Sequence, residues 1–398
     1  IQPEGTAVLQ AASWVFPTGF AGYWMFLYRY DQRQRMVMKQ VPGADSVNMI
    51  YDPWDRVVLT QDGNMRSAHN FLFTKYDQLN RPVVTGQITD TRAISAIIAD
   101  VAASTGRFET VNTSATEGYT LNNSFPSSGS YTLTVYTTTH YDSYDNLPSW
   151  ASGYSFVTEY SVAPENTFLN GQVVAMQTRV LGASNFMRTV SYYDDKYRLT
   201  QTTSDNGAGG KDRITKILTF DGKTSSDYHS HTSRFYTTPI VTQQAYSYDH
   251  MDRLLTVTHK IGNQETVTIT QNTYNELGQL LNKKIHQSPS HPNPLQKLDY
   301  YYNIRGWLTG INRPSSTQTG YEESDLFNLQ LNYNTVMFAG LSASQYNGNI
   351  TEVGWKSGYD EYLRGFTFKY DKANRLNASI YTYLGANDYG PQWIFTKR

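Results

Sequence analysis

Apolar and polar residues alternate along much of the chain with a period near two. Leu326 to Asn334, LFNLQLNYN, alternates well and reads as a strand. From Leu254 onward, Leu254, Val257 and His259 are set against Leu255, Thr256 and Thr258; the pattern is imperfect but nearer to 2 than to 3.6. One stretch departs from this. In TRAISAIIADVAASTG, Thr91 to Gly106, the residues Ile94, Ile97, Ile98 and Val101 recur at i, i+3, i+4 and i+7. That spacing predicts a helix, with Asp90 or Thr91 as N-cap and Gly106 as the stop. Polar, Gly- or Pro-rich runs predict loops at 124–130 (SFPSSGS), 205–210 (DNGAGG), 286–294 (HQSPSHPNP) and 312–325 (NRPSSTQTGYEESD).

A recurring unit punctuates the strands. Six copies keep Tyr, Asp and Arg in register: Tyr30, Asp31 and Arg35; Tyr51, Asp52 and Arg56; Tyr76, Asp77 and Arg81; Tyr193, Asp194 and Arg198; Tyr248, Asp249 and Arg253; Tyr370, Asp371 and Arg375. Counting Tyr as zero, Asp is at +1, as it is at Asp142, and Arg at +5. Position +4 is often Asn, Asp or Gly: Asp55, Asn80, Asp252, Asn374, and Gly278 and Gly306 in the variants Tyr274-Asn275 and Tyr302-Asn303. Those residues tolerate a left-handed backbone. Position +6 is usually apolar, as at Met36, Val57, Leu199, Leu254 and Leu376. The unit therefore spells strand, turn, strand. Asp bonds turn amides, and Arg lies across the hairpin from Tyr or Asp, within reach of a cation–π contact or a charge-assisted hydrogen bond. LTFDGK, with Phe220-Asp221, reads as a degenerate unit, and YNGNI from Tyr346 as a shortened one. Tyr30, Tyr51 and Tyr76 are 21 and 25 residues apart, which is about two strands and two turns. A lone hairpin cannot bury its own apolar face, so such units must stack into a continuous sheet.

Composition agrees. The chain has 398 residues and 32 Tyr, with only 17 % charged residues. The balance of 33 basic to 34 acidic residues argues against a nucleic-acid partner or an anionic membrane surface. There is no cysteine, which excludes disulfides and thiolate metal sites. No apolar run approaches the length of a membrane span. The chain begins at Ile1 with no visible signal peptide and reads as a fragment or a processed product.

The Tyr-Asp…Arg-Leu units, and particularly YRYDQRQRMVMKQVPGAD from Tyr28 and YNIRGWLTGINRP from Tyr302, resemble the YD repeats of RHS proteins. The same repeats occur in toxin-complex shell subunits and teneurins, and these copies are closest in style to large bacterial surface proteins exported by a type IX system. The resemblance covers about Tyr28 to Tyr383. It implies an all-β fold, a hairpin ribbon spiralling into a hollow shell, here partial, with one short helical insertion near 91–104. The expected organisation is an N-terminal lead-in strand region at 1–27, YD repeats at 28–90, an irregular insertion with a helix at 91–130, YD repeats at 131–383, and a truncated end at 384–398 leading towards a missing C-terminal core. Shells of this kind enclose a C-terminal toxin or other polypeptide and carry an autoproteolytic DPxGR…DP core. That core is not in this chain: no DPxG follows Tyr370, and Asp52-Pro53 lies inside an ordinary repeat.

Other candidate chemistry is thin. His229 and His231 share one strand face, but Asp227 is the only obvious third ligand, so the segment reads as an exposed polar strand rather than a metal site. Asp62-Gly63-Asn64 and Asp205-Asn206-Gly207 lack calcium-loop spacing and read as turns. Asp194-Asp195 and Glu322-Glu323 are adjacent, so in a strand each pair splits between faces and forms no acid–base dyad. No nucleophile elbow, phosphate loop or HExxH occurs. Trp14, Trp24, Trp54, Trp150 and Trp393 lie off the repeat Tyr position and are the better candidates for contact surfaces. The expectation is a structural shell segment of a secreted or cell-surface bacterial protein. It has no catalytic, cofactor or metal residues. Its partners are a polypeptide cargo or toxin domain inside the shell and secretion-system or surface components. A surface adhesin or glycan-binding module is the alternative, and a polysaccharide-active enzyme ranks below both.

Overall fold

The computed structural model describes residues 3–312, 325–338, 341, 343–358, 362–384 and 393–396, with side chains described through 383. Among them are 23 strands and five short helical segments. The chain divides into two compact units, Ile1–Ile217 with His229–Pro239, and Leu218–Tyr228 with Ile240–Arg398. In the first, successive strands from Leu27–Tyr30 to Lys211–Leu218 pair antiparallel with their neighbours in sequence. In the second, the same holds from Ile240–Tyr248 to Trp393–Thr396. The protein is all-β, built from consecutive hairpins. No helix among the described residues is long and apolar enough to cross a membrane.

Each YD turn is built alike. The +1 amide bonds the +5 carbonyl and the +4 amide returns to the +1 carbonyl, as in Asp52 N to Arg56 O at 2.9 Å and Asp55 N to Asp52 O at 3.1 Å. The +4 residue has positive φ in all eight units, from 59° at Tyr197 to 82° at Gly278. This is a three-residue hairpin loop closed by a left-handed residue. Register slips just before the turn Tyr, as between Ile50 and Tyr51 or Lys75 and Tyr76, so a bulge accompanies the turn and sharpens the twist there.

Several expectations need correcting. The degenerate unit at LTFDGK is framed two residues earlier than Phe220-Asp221. Thr219 takes the Asp place, with its amide bonded to Lys223 O, and Gly222, at φ 92°, takes +4. Phe220 is an exposed loop residue. DNGAGG is the same tight turn, with Asn206 N bonded to Gly210 O and Gly209 at φ 73°. The described part of the lead-in holds the helices Pro3–Ala11 and Phe20–Trp24, and strand begins only at Leu27. Asp62 is not in a simple turn but caps the helix Gly63–Ser67 through Met65 N. A second insertion, 143–168, interrupts the repeats and carries the 3-10 helix Ser149–Tyr154. It lies inside a YD turn, because Tyr141 pairs with Val173 across it. The helix expected at Thr91–Gly106 spans Ile94–Ala103, and its N-cap is Ala93 with no side-chain bond. Most of the loop expected at 312–325 lies outside the described residues, as do Glu322 and Glu323.

The helix Ile94–Ala103 buries Ile97 and Val101 against a core of Ile50, Leu59, Phe71, Phe73, Val84 and Ile88. Ile94 and Ile98, on the same predicted face, remain partly exposed at 37 % and 48 %. Gly106 does not stop the helix by a left-handed cap. A Cβ there would lie 1.5 Å from Asn123 O, so glycine is needed for close backbone approach. In the second unit, strands from Ile240 to Tyr302 are largely half-buried, with Thr270 the one buried residue in them and one face of Val267–Tyr274 exposed at Ile269, Gln271 and Thr273. Among the described residues no second layer covers these strands.

Candidate functional site

The repeat residues form a ladder along the turns. Within each of the six full units, the Asp Oδ1 accepts the amides of +3 and +5 at 2.8–3.0 Å. Its Oδ2 accepts Nε of the Arg at 2.6–2.8 Å. Burial pushes Asp194 up, but Arg198 and the amides of Arg198 and Lys196 outweigh it and hold the carboxyl below its ordinary range.

Where a repeat Arg stacks on a Tyr, that Tyr is not in its own hairpin. Arg35 stacks over Tyr51 at 4.8 Å, Arg56 over Tyr76 at 4.7 Å, Arg81 over Tyr141 at 4.3 Å, and in the second unit Arg253 over Tyr274 at 4.8 Å. Every one is the Tyr of the following repeat. That Tyr in turn donates its hydroxyl to the carbonyl just after the Arg: Tyr51 to Met36 at 2.9 Å, Tyr76 to Val57 at 2.8 Å, Tyr274 to Leu254 at 2.9 Å. Tyr248, Tyr302, Tyr333 and Tyr370 do the same one repeat back, to Thr224, Leu280, Leu308 and Ile350. Burial pushes the Tyr76 phenol up despite the Arg56 charge, which keeps it a donor. The guanidinium also reaches the next +4 residue, Arg35 to Asp55 at 2.8 Å and Arg56 to Asn80 at 3.1 Å. Arg81 grips Asp142 with two bonds, 2.8 and 2.6 Å. Asp142 therefore serves as the acceptor of the previous Arg, not as a turn-former. Where Arg is replaced the link persists: Trp307 packs on Tyr333 at 5.0 Å, and Gln279 donates to Gly306 O at 3.1 Å.

The insertion 91–130 is tied to the sheet by a fully buried ion pair. Lys75 Nζ donates to Glu109 at 2.7 Å and to Ser124 O at 2.9 Å. Thr120, Ser124 and the Asn123 amide also donate to Glu109. Burial pulls the Lys75 ammonium down, and Glu109 restores only part of it. Nearby, His140 is buried and stacked on Tyr119 at 4.8 Å, and burial lowers it to about 4. Between the helix Ile94–Ala103 and the first three strands lies an open cleft of about 960 Å³ with Arg29, Arg35, Met38, Arg66, Ile94 and Ile98 in its lining.

Chemistry-bearing clusters are few among the described residues. Asp212, His229 and His231 converge, their ligand atoms all within 4.8 Å of one another. The carboxylate is Asp212, from the neighbouring strand, and not Asp227, which Tyr246 engages. Ser290 donates to Glu265 and meets His291 at 3.0 Å, so the carboxylate holds the hydroxyl rather than the imidazole and no triad forms. Of the candidate contact tryptophans, Trp14 is 64 % exposed. Trp54 lies under Arg56 and Arg107, and Trp150 packs on His140 and Tyr154. The Trp393 side chain lies outside the described residues.

No protein-family model matches the chain, and no curated protein matches it. Solved structures do. A structure of the Photorhabdus luminescens Tc holotoxin pore, carrying a TccC3 mutation, aligns over 96 % of this chain at 15 % identity and a TM-score of 0.38. Two crystal structures of TcdB2-TccC3 align over 98 % and 100 % of it, at 11 % identity and TM-scores of 0.24 and 0.28. The chain spans 16 % of the first of those chains and 22 % of the other two. At these identities and scores the likeness says nothing of activity.

Proposed function

We propose that the chain is a wall segment of a secreted or cell-surface YD-repeat shell that encloses or presents a polypeptide cargo, and that it performs no reaction itself. One observation carries this reading: the residues that recur most faithfully are spent on joining one hairpin to the next. Apart from Tyr30, which is exposed at the start of the array, the Tyr, Asp and Arg of the full repeats are occupied by hydrogen bonds or stacking within the ladder, which leaves them unsuited to a substrate. The strands from Ile240 to Tyr302, largely half-buried and with no second layer over them among the described residues, suit a wall with a chamber on one side. A toxin domain is the cargo that the family resemblance implies, and export through a type IX system is the route. A glycan-binding surface has less support, because Trp54 and Trp150 are committed to packing.

The test is protease protection. The complete reading frame containing this chain is expressed and digested under native conditions. The reading predicts a protected polypeptide that becomes cleavable when ladder residues are substituted, for instance by Arg56→Gln with Arg81→Gln. A segment digested at the same rate with and without an intact ladder, or a polysaccharide cleaved by the purified protein, overturns it.

A further inference from the structure

We infer that Asp212, His229 and His231 form a binding site for a divalent first-row metal ion of the zinc type. The site lies within one compact unit and joins adjacent strand segments. Asp212 stands on the strand Lys211–Leu218, and the two imidazoles at the end of the strand Thr224–His231. The segments are held side by side there, with Thr232 N bonded to Lys211 O at 2.9 Å.

Three observations point to a cation rather than to a plain ion pair. First, the donor set is two imidazoles and one carboxylate, which matches a three-ligand zinc site with one position left for water. Second, the spacing fits. Asp212 Oδ1 is 2.6 Å from His231 Nδ1 and 3.6 Å from His229 Nε2, and no two ligand atoms are more than 4.8 Å apart. A tetrahedral ion with bonds of about 2.0–2.1 Å needs ligand atoms roughly 3.3 Å apart, so shifts on the order of 1 Å complete the site. Third, His229 Nε2 is shielded from solvent and has no hydrogen-bond partner. At 3.6 Å it is too far to donate to Asp212. Unprotonated, it turns a lone pair towards a carboxylate. A cation between them satisfies both atoms, and a proton on His231 satisfies only one.

The carboxylate is also held from behind. Asn206 Nδ2 donates to Asp212 Oδ1 at 3.0 Å and to Thr232 O at 2.8 Å. Asn206 is itself fixed by its turn, accepting the amides of Ala208 and Gly210 at 3.1 and 3.0 Å. Outer hydrogen bonds of this kind orient ligands and set metal affinity.

The experiment is titration of the chelator-stripped full chain with zinc chloride near neutral pH, read by calorimetry and by thermal melting. One equivalent should bind and raise the melting temperature. His229→Gln and Asp212→Asn should each weaken binding by about tenfold or more, a loss that even outer partners can produce. His250→Gln, at an exposed turn tip, should leave binding unchanged. Cobalt substituted for zinc should show tetrahedral visible absorption that His229→Gln abolishes. If His229→Gln does not fold, Asp212→Asn and the cobalt spectrum decide. No saturable binding, or wild-type affinity in the folded variants, overturns the site.

Discussion

The cross-repeat ladder makes a sharp prediction at Arg56. This side chain is 10 % exposed, whereas Arg375, in the last full repeat, is 79 % exposed. Arg56→Gln mimics the residue that stands naturally at Gln279. It strips the salt bridge from Asp52, which is 4 % exposed, and removes the stack on Tyr76. Breaking a buried pair by removing one partner costs about 3–5 kcal/mol; glutamine keeps one donor, so roughly 3 kcal/mol is expected. The same change at Arg375 should cost no more than about 1 kcal/mol. A double-mutant cycle then locates the partner. Arg56→Gln with Tyr76→Leu should show a coupling of about 0.5–2 kcal/mol, the range for a partly desolvated cation–π contact. Arg56→Gln with Tyr51→Leu should be additive within about 0.5 kcal/mol, because the Tyr51 ring lies under Arg35. Repeat arrays open locally, so hydrogen exchange at amides of Val57–Gln61 and Val83–Thr89 is the proper probe. Stronger coupling to Tyr51 than to Tyr76 would show that the staple closes its own hairpin, and the ladder would be refuted.

Three further outcomes follow from named contacts. Lys75→Met should destabilise the first unit by about 3–5 kcal/mol by stranding the Glu109 carboxylate, and adding Glu109→Gln should recover part of that in a thermal melt. Gln34→Gly should stabilise by about 0.5–1 kcal/mol in denaturant titration, since a left-handed side chain costs roughly 1–2 kcal/mol and glycine returns part of this as entropy. His140 titrates near 4 when folded and near 6.5 when unfolded, so between those pH values the unfolded chain binds the extra proton. Stability should therefore fall by roughly 3 kcal/mol as pH drops from 6.5 to 4, and His140→Leu should flatten that part of the pH profile.

What was legible in the sequence was local. Tyr, Asp, the left-handed +4 residue and Arg lie within six positions, and their turn geometry follows from residue chemistry alone. The Arg–Tyr stack was misplaced because its partner lies one repeat on, 20 residues from Arg56 to Tyr76, and spacing within one unit does not distinguish the two tyrosines. The frame at LTFDGK was misread because an aromatic-Asp pair drew the alignment, although Gly222 and Lys223 at +4 and +5 fix it correctly. The insertion at 143–168 hid because Tyr141-Asp142 looks like an intact unit until the missing Arg at +5 is noticed. Asp212 escaped because cross-strand neighbours are set by register, which Asp227, two residues from His229, does not share.

The direction of the ladder bears on how so thin a sheet holds together. A hairpin closed only on itself would rely on a packed second layer, and the strands from Ile240 to Tyr302 have none among the described residues. Here Arg253 is neutralised by its own Asp249 and then spent on the next repeat through Tyr274, while the Tyr274 phenol reaches back to the carbonyl after the Arg. Two neighbours are thus joined in both directions at the turn, where strand fraying would otherwise begin. Stability becomes a sum over nearest neighbours rather than over a buried core. That leaves the sheet faces free of the task of holding the fold.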